Sequence, residues 1–304
     1  MMRRWLATAG LLLCCGEAMA LKFKPIADGE GRPVLLVYDC DLIAAERKAG
    51  CQDRENGFSG PDDRYRGDAA VLEAMLQERG YYQVWLHSGG GNLAEGIKVG
   101  ETLRRRQQFT YVADGAMCVS ACTVAFLGGV LRDVAPGGSY EVHAYSRVKD
   151  WTAAELQRFV SAEGDSSLTN FVRSSSESGL LFAGRLFLYA QKMIGGQPDE
   201  QQTTRVLASA PDYARGYLGS PRFRSDFAQM RAEGVARAHE TLMLIERESF
   251  ETRLAHLKAH ADQLGERSTK AIRMLEIMFS SRIVGTAKLD QNTLRQNGYI
   301  NVRR

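Results

Sequence analysis

The sequence predicts an α/β fold followed by a long helical stretch, and three observations carry that expectation. Gln83-Val-Trp-Leu-His87 reads as a short buried strand, and Ser88-Gly89-Gly90-Gly91 after it is turn material. Phe109-Thr-Tyr-Val-Ala113 gives a second strand, broken by Asp114-Gly115-Ala116; an apolar helix then opens at Ser120 and runs through Phe126 to Gly128-Gly129. Arg132–Val134 and Ser139–His143 read as two further extended pieces separated by Pro136-Gly137-Gly138, whereas residues 146–279 carry helical spacing.

Each element has a local reason. Asn92 is positioned to cap a helix, Glu95 three residues later predicts a capping box, and Leu93, Ile97, Gly100 and Leu103 recur at helical spacing. Arg104-Arg105-Arg106 closes that helix, where positive charge complements the dipole, and reads as a solvated cap rather than a nucleic-acid surface. Further on, Thr152–Val160 predicts a short capped helix, the Ser-rich Asp165–Ser178 a loop, and the apolar Leu180–Met193 a helix ended by Gly195-Gly196-Gln197-Pro198. Pro211 and Pro221 bracket a short helical unit, and Phe227–Leu264 reads as one long helix. No internal repeat or low-complexity tract is present.

The same residues contain a kit for attacking a carbonyl. Acyl transfer needs a nucleophile, a base for its proton, and backbone N–H groups aimed at the developing oxyanion. Ser120 at a helix start, His143 at a strand end and the glycine turn supply all three. Each also has a plain structural reading: Ser120 as a helix cap, His143 as a satisfied core histidine. Their occurrence together favours a site. His256 and His260 are spaced i, i+4, but no glutamate stands between them in a His-Glu-x-x-His pattern, so an exposed helix face is expected and no metal site.

In this order the parts resemble the Clp protease proteolytic subunit of the Clp-crotonase superfamily, which carries a Ser-Pro-Gly-Gly turn, a later helix-opening Ser and a His further on. The likeness is closest to secreted bacterial members with a Cys-x-Ser-x-Cys segment, here Cys118-Val-Ser-Ala-Cys122. It covers about Val34–Tyr145 and again about Ser280–Asn301, where Gly285-Thr286-Ala-Lys-Leu and Asn297-Gly298-Tyr-Ile300 resemble the family's closing helix and strand. The resemblance implies a superhelix of ββα units, with residues 21–145 as its core, 146–279 as a large helical insertion or handle, and 280–304 closing the core. It further implies Ser120 as nucleophile, His143 as base, the Gly90 and Ala121 amides as oxyanion donors, and Gly89 and Gly91 bordering the substrate. Two departures stand out: Gly89 replaces the family proline, and Ser280 and Ser281 occupy the place of the triad Asp. Loss of that carboxylate can cost about four orders of magnitude in turnover, and Glu141 and Glu276 are the stand-ins within reach of the pattern. A catalytically silent binding or assembly protein is therefore the alternative to a peptidase.

Arg3-Arg4, an apolar run to Cys15 and Ala18-Met-Ala20 form a signal-peptide pattern over residues 1–20, which predicts export with a mature start near Leu21, or an uncleaved anchor. Export argues against an ATPase partner and against acyl-coenzyme A chemistry. It also permits disulfides among Cys40, Cys51, Cys118 and Cys122, whose three pairings the sequence leaves open. Hydrolysis requires no cofactor. The formal net charge of +3 points to no strongly acidic partner, and the insertion leaves homo-oligomerisation open.

Overall fold

The computed structural model describes residues 21–39, 57–61, 66–144, 146–148, 151–161, 164–279 and 286–302. The leader pattern in residues 1–20, Cys40, Cys51, Tyr145, Ser280, Ser281 and Gly285 lie outside these. Within them the protein is α/β, with parallel and antiparallel pairing mixed.

β1 (Lys22–Ala27) runs antiparallel to β2 (Pro33–Tyr38) at the edge of a sheet. β1 carries Pro25, and an edge is where a strand tolerates the missing donor. After α1 (Asp68–Glu78), β3 (Gln83–His87) and β4 (Phe109–Val112) continue the sheet in parallel, and β6 (Leu131–Val134) completes the order β1-β2-β3-β4-β6. A second sheet is built from β5 (Met117–Val119), β7 (Ser139–Val142) and β8 (Ala287–Lys288) in the order β5-β7-β8, with β7 and β8 antiparallel. α11 (Gln291–Gln296) follows, and the closing strand expected at Tyr299-Ile300 is an extended tail held by Asn301 N–H donating to Arg132 O at 3.1 Å.

Between β3 and β4 lies α2 (Leu93–Arg105). Its Asn92 cap forms, accepting from Glu95 N at 3.0 Å, but the capping box does not. The Glu95 carboxylate accepts instead from Ala69 N at 2.9 Å and pairs with Lys98 at 3.2 Å, because it is buried against the start of α1. α3 (Ala121–Phe126) packs closely on α2 at Gly96 and Gly100, where added methyl groups would strike Ala121 O, and Tyr189 and Ala125 O, respectively.

The helical stretch contains α4 (Ala153–Val160), capped by Thr152 with a complete capping box, then α5 (Gly164–Met193), α6 (Glu200–Ala208), α7 (Tyr213–Leu218), α8 (Pro221–Glu233), α9 (Val235–Ala259) and α10 (Ser268–Phe279). Two expectations are corrected. Asp165–Ser178 is helix, continuous with Leu180–Met193: Leu168, Phe171, Val172, Ser175, Ser176 and Gly179 form its buried stripe, and α9 approaches so closely that a methyl on Gly179 would lie 2.6 Å from Ser249 Oγ. Small polar residues here serve tight helix packing rather than a loop. The long helix from Phe227 is broken at Gly234, whose φ of 81° is readily open only to glycine.

The inner halves of α5 and α9, with α10, share one apolar core with both sheets, and a second core fills the outer end around Val148, Phe159, Phe171, Tyr217 and Leu242. Among the described residues no helix is long and apolar enough to cross a membrane. Arg104 differs from its expected solvated role. It donates to Leu127 O at 3.2 Å and to Met193 O at 2.5 Å, capping α3 and α5, whereas Arg105 and Arg106 pair with Glu73.

Three tyrosines, Tyr140, Tyr189 and Tyr299, are buried and donate to Thr123 O, Val124 O and Met274 O at 3.0, 2.7 and 2.7 Å. Burial pushes each hydroxyl above its ordinary pKa. A group whose pKa is raised by folding contributes stability that is present below the unfolded value, about 10, and lost as pH rises beyond it. Burial lowers Arg132 to about 10 and also lowers Arg104 and Arg253, which act in the opposite sense, but Tyr213 and Tyr217 are raised as well, so five tyrosines stand against three arginines. Stability in urea is expected to hold from neutral pH to about 9.5 and to fall above about 10; unchanged midpoints at pH 11 would refute this.

Candidate functional site

Three chain segments meet because the two sheets are stitched at one point. Ser88 N donates to Met117 O at 2.9 Å and Val119 N to Ser88 O at 3.0 Å, which lays the glycine turn against β5. Parallel pairing of β5 with β7 sets Val119 opposite Glu141, and Ser120 N donates to Glu141 O at 3.2 Å. His143 follows two residues later, one beyond the end of β7.

Ser120 is the junction between β5 and α3. The sequence pattern placed it at a helix start but missed the three-residue strand before it. Its backbone is at φ 56°, ψ −121°, a conformation unfavourable to any residue with a Cβ, and its side chain makes no capping hydrogen bond. Such strain costs about 1–3 kcal/mol and persists only where the surroundings impose it. Here they do: the Cys118–Cys122 disulfide, one of the three pairings open to the sequence, closes around Ser120, and both cysteines are fully buried. Pairing of Cys118 with Cys122 rules out either bonding to Cys40 or Cys51. The result is a sharp strand-to-helix elbow with the hydroxyl turned outward.

Gly90 faces that hydroxyl. A methyl group built on Gly90 would lie 2.6 Å from Ser120 Cβ and 3.2 Å from Ser120 Oγ, so the approach tolerates hydrogen alone. The Gly90 amide donates to Ser88 Oγ at 3.1 Å, and its carbonyl accepts from Phe58 N at 2.7 Å. As an oxyanion donor the Gly90 amide therefore has to exchange the Ser88 hydroxyl for the substrate. Ala121 N belongs to the first turn of α3, where amides lack intrahelical acceptors. Gly89 lies near Asp39, with 3.8 Å from a built methyl to Asp39 Oδ2.

His143 Nδ1 is 2.7 Å from Ala144 O. A carbonyl only accepts, so Nδ1 carries the proton and Nε2 presents its lone pair in the neutral ring, the form required of a base. Of the carboxylates that sequence reasoning named as stand-ins, Glu141 accepts from Ser139 Oγ at 2.7 Å and from Thr286 Oγ1, bracing β7 to β8. Glu276 is salt-bridged to Lys258 at 2.8 Å.

Ser120 and His143 open on one cavity of about 250 Å³. Gly91, Asn92, Leu93 and Ala94 form one side. Ser146, Arg147, Phe182 and Phe279 form the other, and these come from the helical stretch, where nothing local in the sequence marks them. Arg147 is fixed there: its N and Nε donate to the buried Glu246 at 2.7 and 2.6 Å, and its other nitrogens to Ser178 and Ser175. His256 and His260 are half-buried rather than exposed, with ring centroids 4.3 Å apart and His256 Nε2 3.1 Å from Ser209 Oγ. Among the described residues no group of three metal-ligating side chains occurs.

Gly90→Ala is expected to slow reaction of Ser120 with a fluorophosphonate by about 10²-fold, the scale of a misplacement near 1 Å, while near-ultraviolet circular dichroism stays native. Undiminished labelling would show that the turn does not control the nucleophile. Comparison of the chain with protein-family models, with characterised proteins and with solved structures yields no match.

Proposed function

We propose that this protein is an exported serine hydrolase of Clp/crotonase type, most simply a peptidase acting through an acyl-Ser120 intermediate. The observation that carries the reading is the strained elbow at Ser120, turned towards a glycine turn and opening on a cavity shared with His143. A serine that merely capped α3 would have extended backbone and a bonded side chain; this one has neither. The type of fold is supported by the stepping of successive strand pairs: β4 and β6 are parallel neighbours in one sheet while β5 and β7 are parallel neighbours in the other, as two turns of a ββα superhelix require.

In the reaction His143 Nε2 takes the Ser120 proton as Oγ attacks the carbonyl, and the Ala121 and Gly90 amides receive the oxyanion. The imidazolium then protonates the leaving group, and water repeats the sequence in reverse roles. Ala144 O orients the imidazole where a carboxylate would stand in the family pattern. The leader pattern supports an extracytoplasmic location, hence passive entry of short or unfolded substrates without an ATPase.

Fluorophosphonate labelling tests the reading: labelling of the wild type that disappears in Ser120→Ala supports it, and its absence from the wild type defeats it. A second reading, a silent fold used for binding or assembly, is favoured by the engagement of the Gly90 amide with Ser88. Full biological effect retained with Ser120 and His143 both replaced by alanine would establish that reading instead.

A further inference from the structure

Helical spacing gives α5 two opposed faces: Ser175, Ser178 and Phe182 turn towards Arg147 and the Ser120 cavity, and Arg173, Ser176 and Leu180 turn away from it. On that far face, between α5, α7 and α9, is a second concavity of about 490 Å³.

Its chemistry centres on Arg253, in the C-terminal third of α9 and only 5% exposed. One terminal nitrogen donates to Pro211 O and the other to Ser176 Oγ at 3.3 Å, which fixes the guanidinium plane. Its Nε–H is buried and has no acceptor among the described residues. Nor does Arg253 form an ion pair among them. Asp212, whose charge reaches it, is committed elsewhere, accepting from Arg215 N at 3.2 Å as the cap of α7. A buried cation with a vacant donor is costly, since unmatched burial of charge is among the largest penalties in a protein interior.

Two more arginines line the concavity, Arg173 and Arg215, both exposed, with Glu177 and Asp212 as the opposing charges. Three cations against two carboxylates leave a single positive charge to be matched. Leu180, Ala214 and Leu218 supply apolar wall. We infer that this concavity binds a small monocarboxylate, its head towards the Arg253 guanidinium and a short apolar tail against Leu180 and Leu218. A side-on carboxylate is the planar acceptor that fits a guanidinium already held in place, whereas a dianion meets repulsion from Glu177 and Asp212. The site is independent of Ser120.

The test follows the Arg253 Nε–H resonance of the full chain, assigned through Arg253→Gln, during titration with hexanoate, hexanamide and inorganic phosphate. Expected are a saturable shift with millimolar hexanoate, none with hexanamide and a weaker one with phosphate. The exposed pair Arg173→Ala, Arg215→Ala should weaken hexanoate binding by about three- to tenfold, with thermal unfolding and fluorophosphonate labelling unchanged. This pair keeps the test open even if Arg253→Gln fails to fold. Equal shifts with hexanoate and hexanamide, a stronger response to phosphate, or no saturable response to hexanoate would each overturn the inference.

Discussion

Ser120→Gly is expected to abolish hydrolysis and yet to yield a more stable protein. Removal of the nucleophile from a serine triad costs about 10⁶-fold in turnover even where the oxyanion site survives. The stability gain comes from the backbone. At φ 56°, ψ −121° a side chain is strained by about 1–3 kcal/mol, and glycine relieves that strain at an entropic cost of about 0.5–1 kcal/mol. The net is about 1 kcal/mol of stabilisation, readable as a higher urea midpoint with the same slope. Ser120→Ala separates the two effects, because it removes the hydroxyl but keeps Cβ: it should be equally inactive and no more stable than wild type. Equal midpoints for the glycine and alanine variants would mean that the elbow stores no strain.

Arg132→Met should destabilise the protein by about 3–5 kcal/mol. Arg132 is 3% exposed and donates to five backbone carbonyls from three places in the chain: Tyr299 O at 2.7 Å and Gly298 O at 3.0 Å in the closing segment, Gly129 O at 2.8 Å and Leu127 O at 3.3 Å after α3, and Met193 O at 3.3 Å at the end of α5. Two effects oppose each other. Exchanging a desolvated cation for an apolar side chain is neutral or favourable in some proteins, and burial together with the neighbouring Arg104 already lowers this guanidinium to about 10. Each carbonyl left buried without a donor, however, costs about 1–3 kcal/mol. Backbone acceptors cannot turn away, and several are stranded at once, so the second effect dominates. Arg132→Lys should recover only part of the loss, since a compact ammonium cannot span acceptors arranged around a planar fork. A loss below 1 kcal/mol in Arg132→Met would show that water satisfies these carbonyls.

The legibility of the chain varied with the range of the forces involved. β3, the Asn92 cap and the short capped helix over Thr152–Val160 were readable because neighbouring residues determine them. The Ser-rich part of α5 was not: its serines and Gly179 are helical because α9 packs closely on them, and that contact lies some seventy residues away. Glu95 and Arg104 were assigned to their own helix ends, whereas burial against α1 and α5 gave their charges better partners. At the candidate site, the residue types of Ser120, His143 and the glycine turn were evident. The cavity walls at Arg147, Phe182 and Phe279 were not, since Phe182 and Phe279 read only as ordinary helix residues and Arg147 lies in the bend before α4.

By itself, the sequence determined the α/β class, the order of strand, glycine turn and helix, and the residue types of the proposed site, because these depend on side-chain chemistry and on spacing within about one helical turn. The tertiary structure alone decided that Cys118 bonds Cys122, that Ser120 is forced to positive φ, that Ala144 O orients His143, and that Ser88 holds the Gly90 amide. These contacts join residues close in sequence, but the backbone that brings them into contact is fixed where Ser88 pairs with β5 and Ser120 N donates to Glu141 O, and that meeting of two sheets is set by the burial of the whole core.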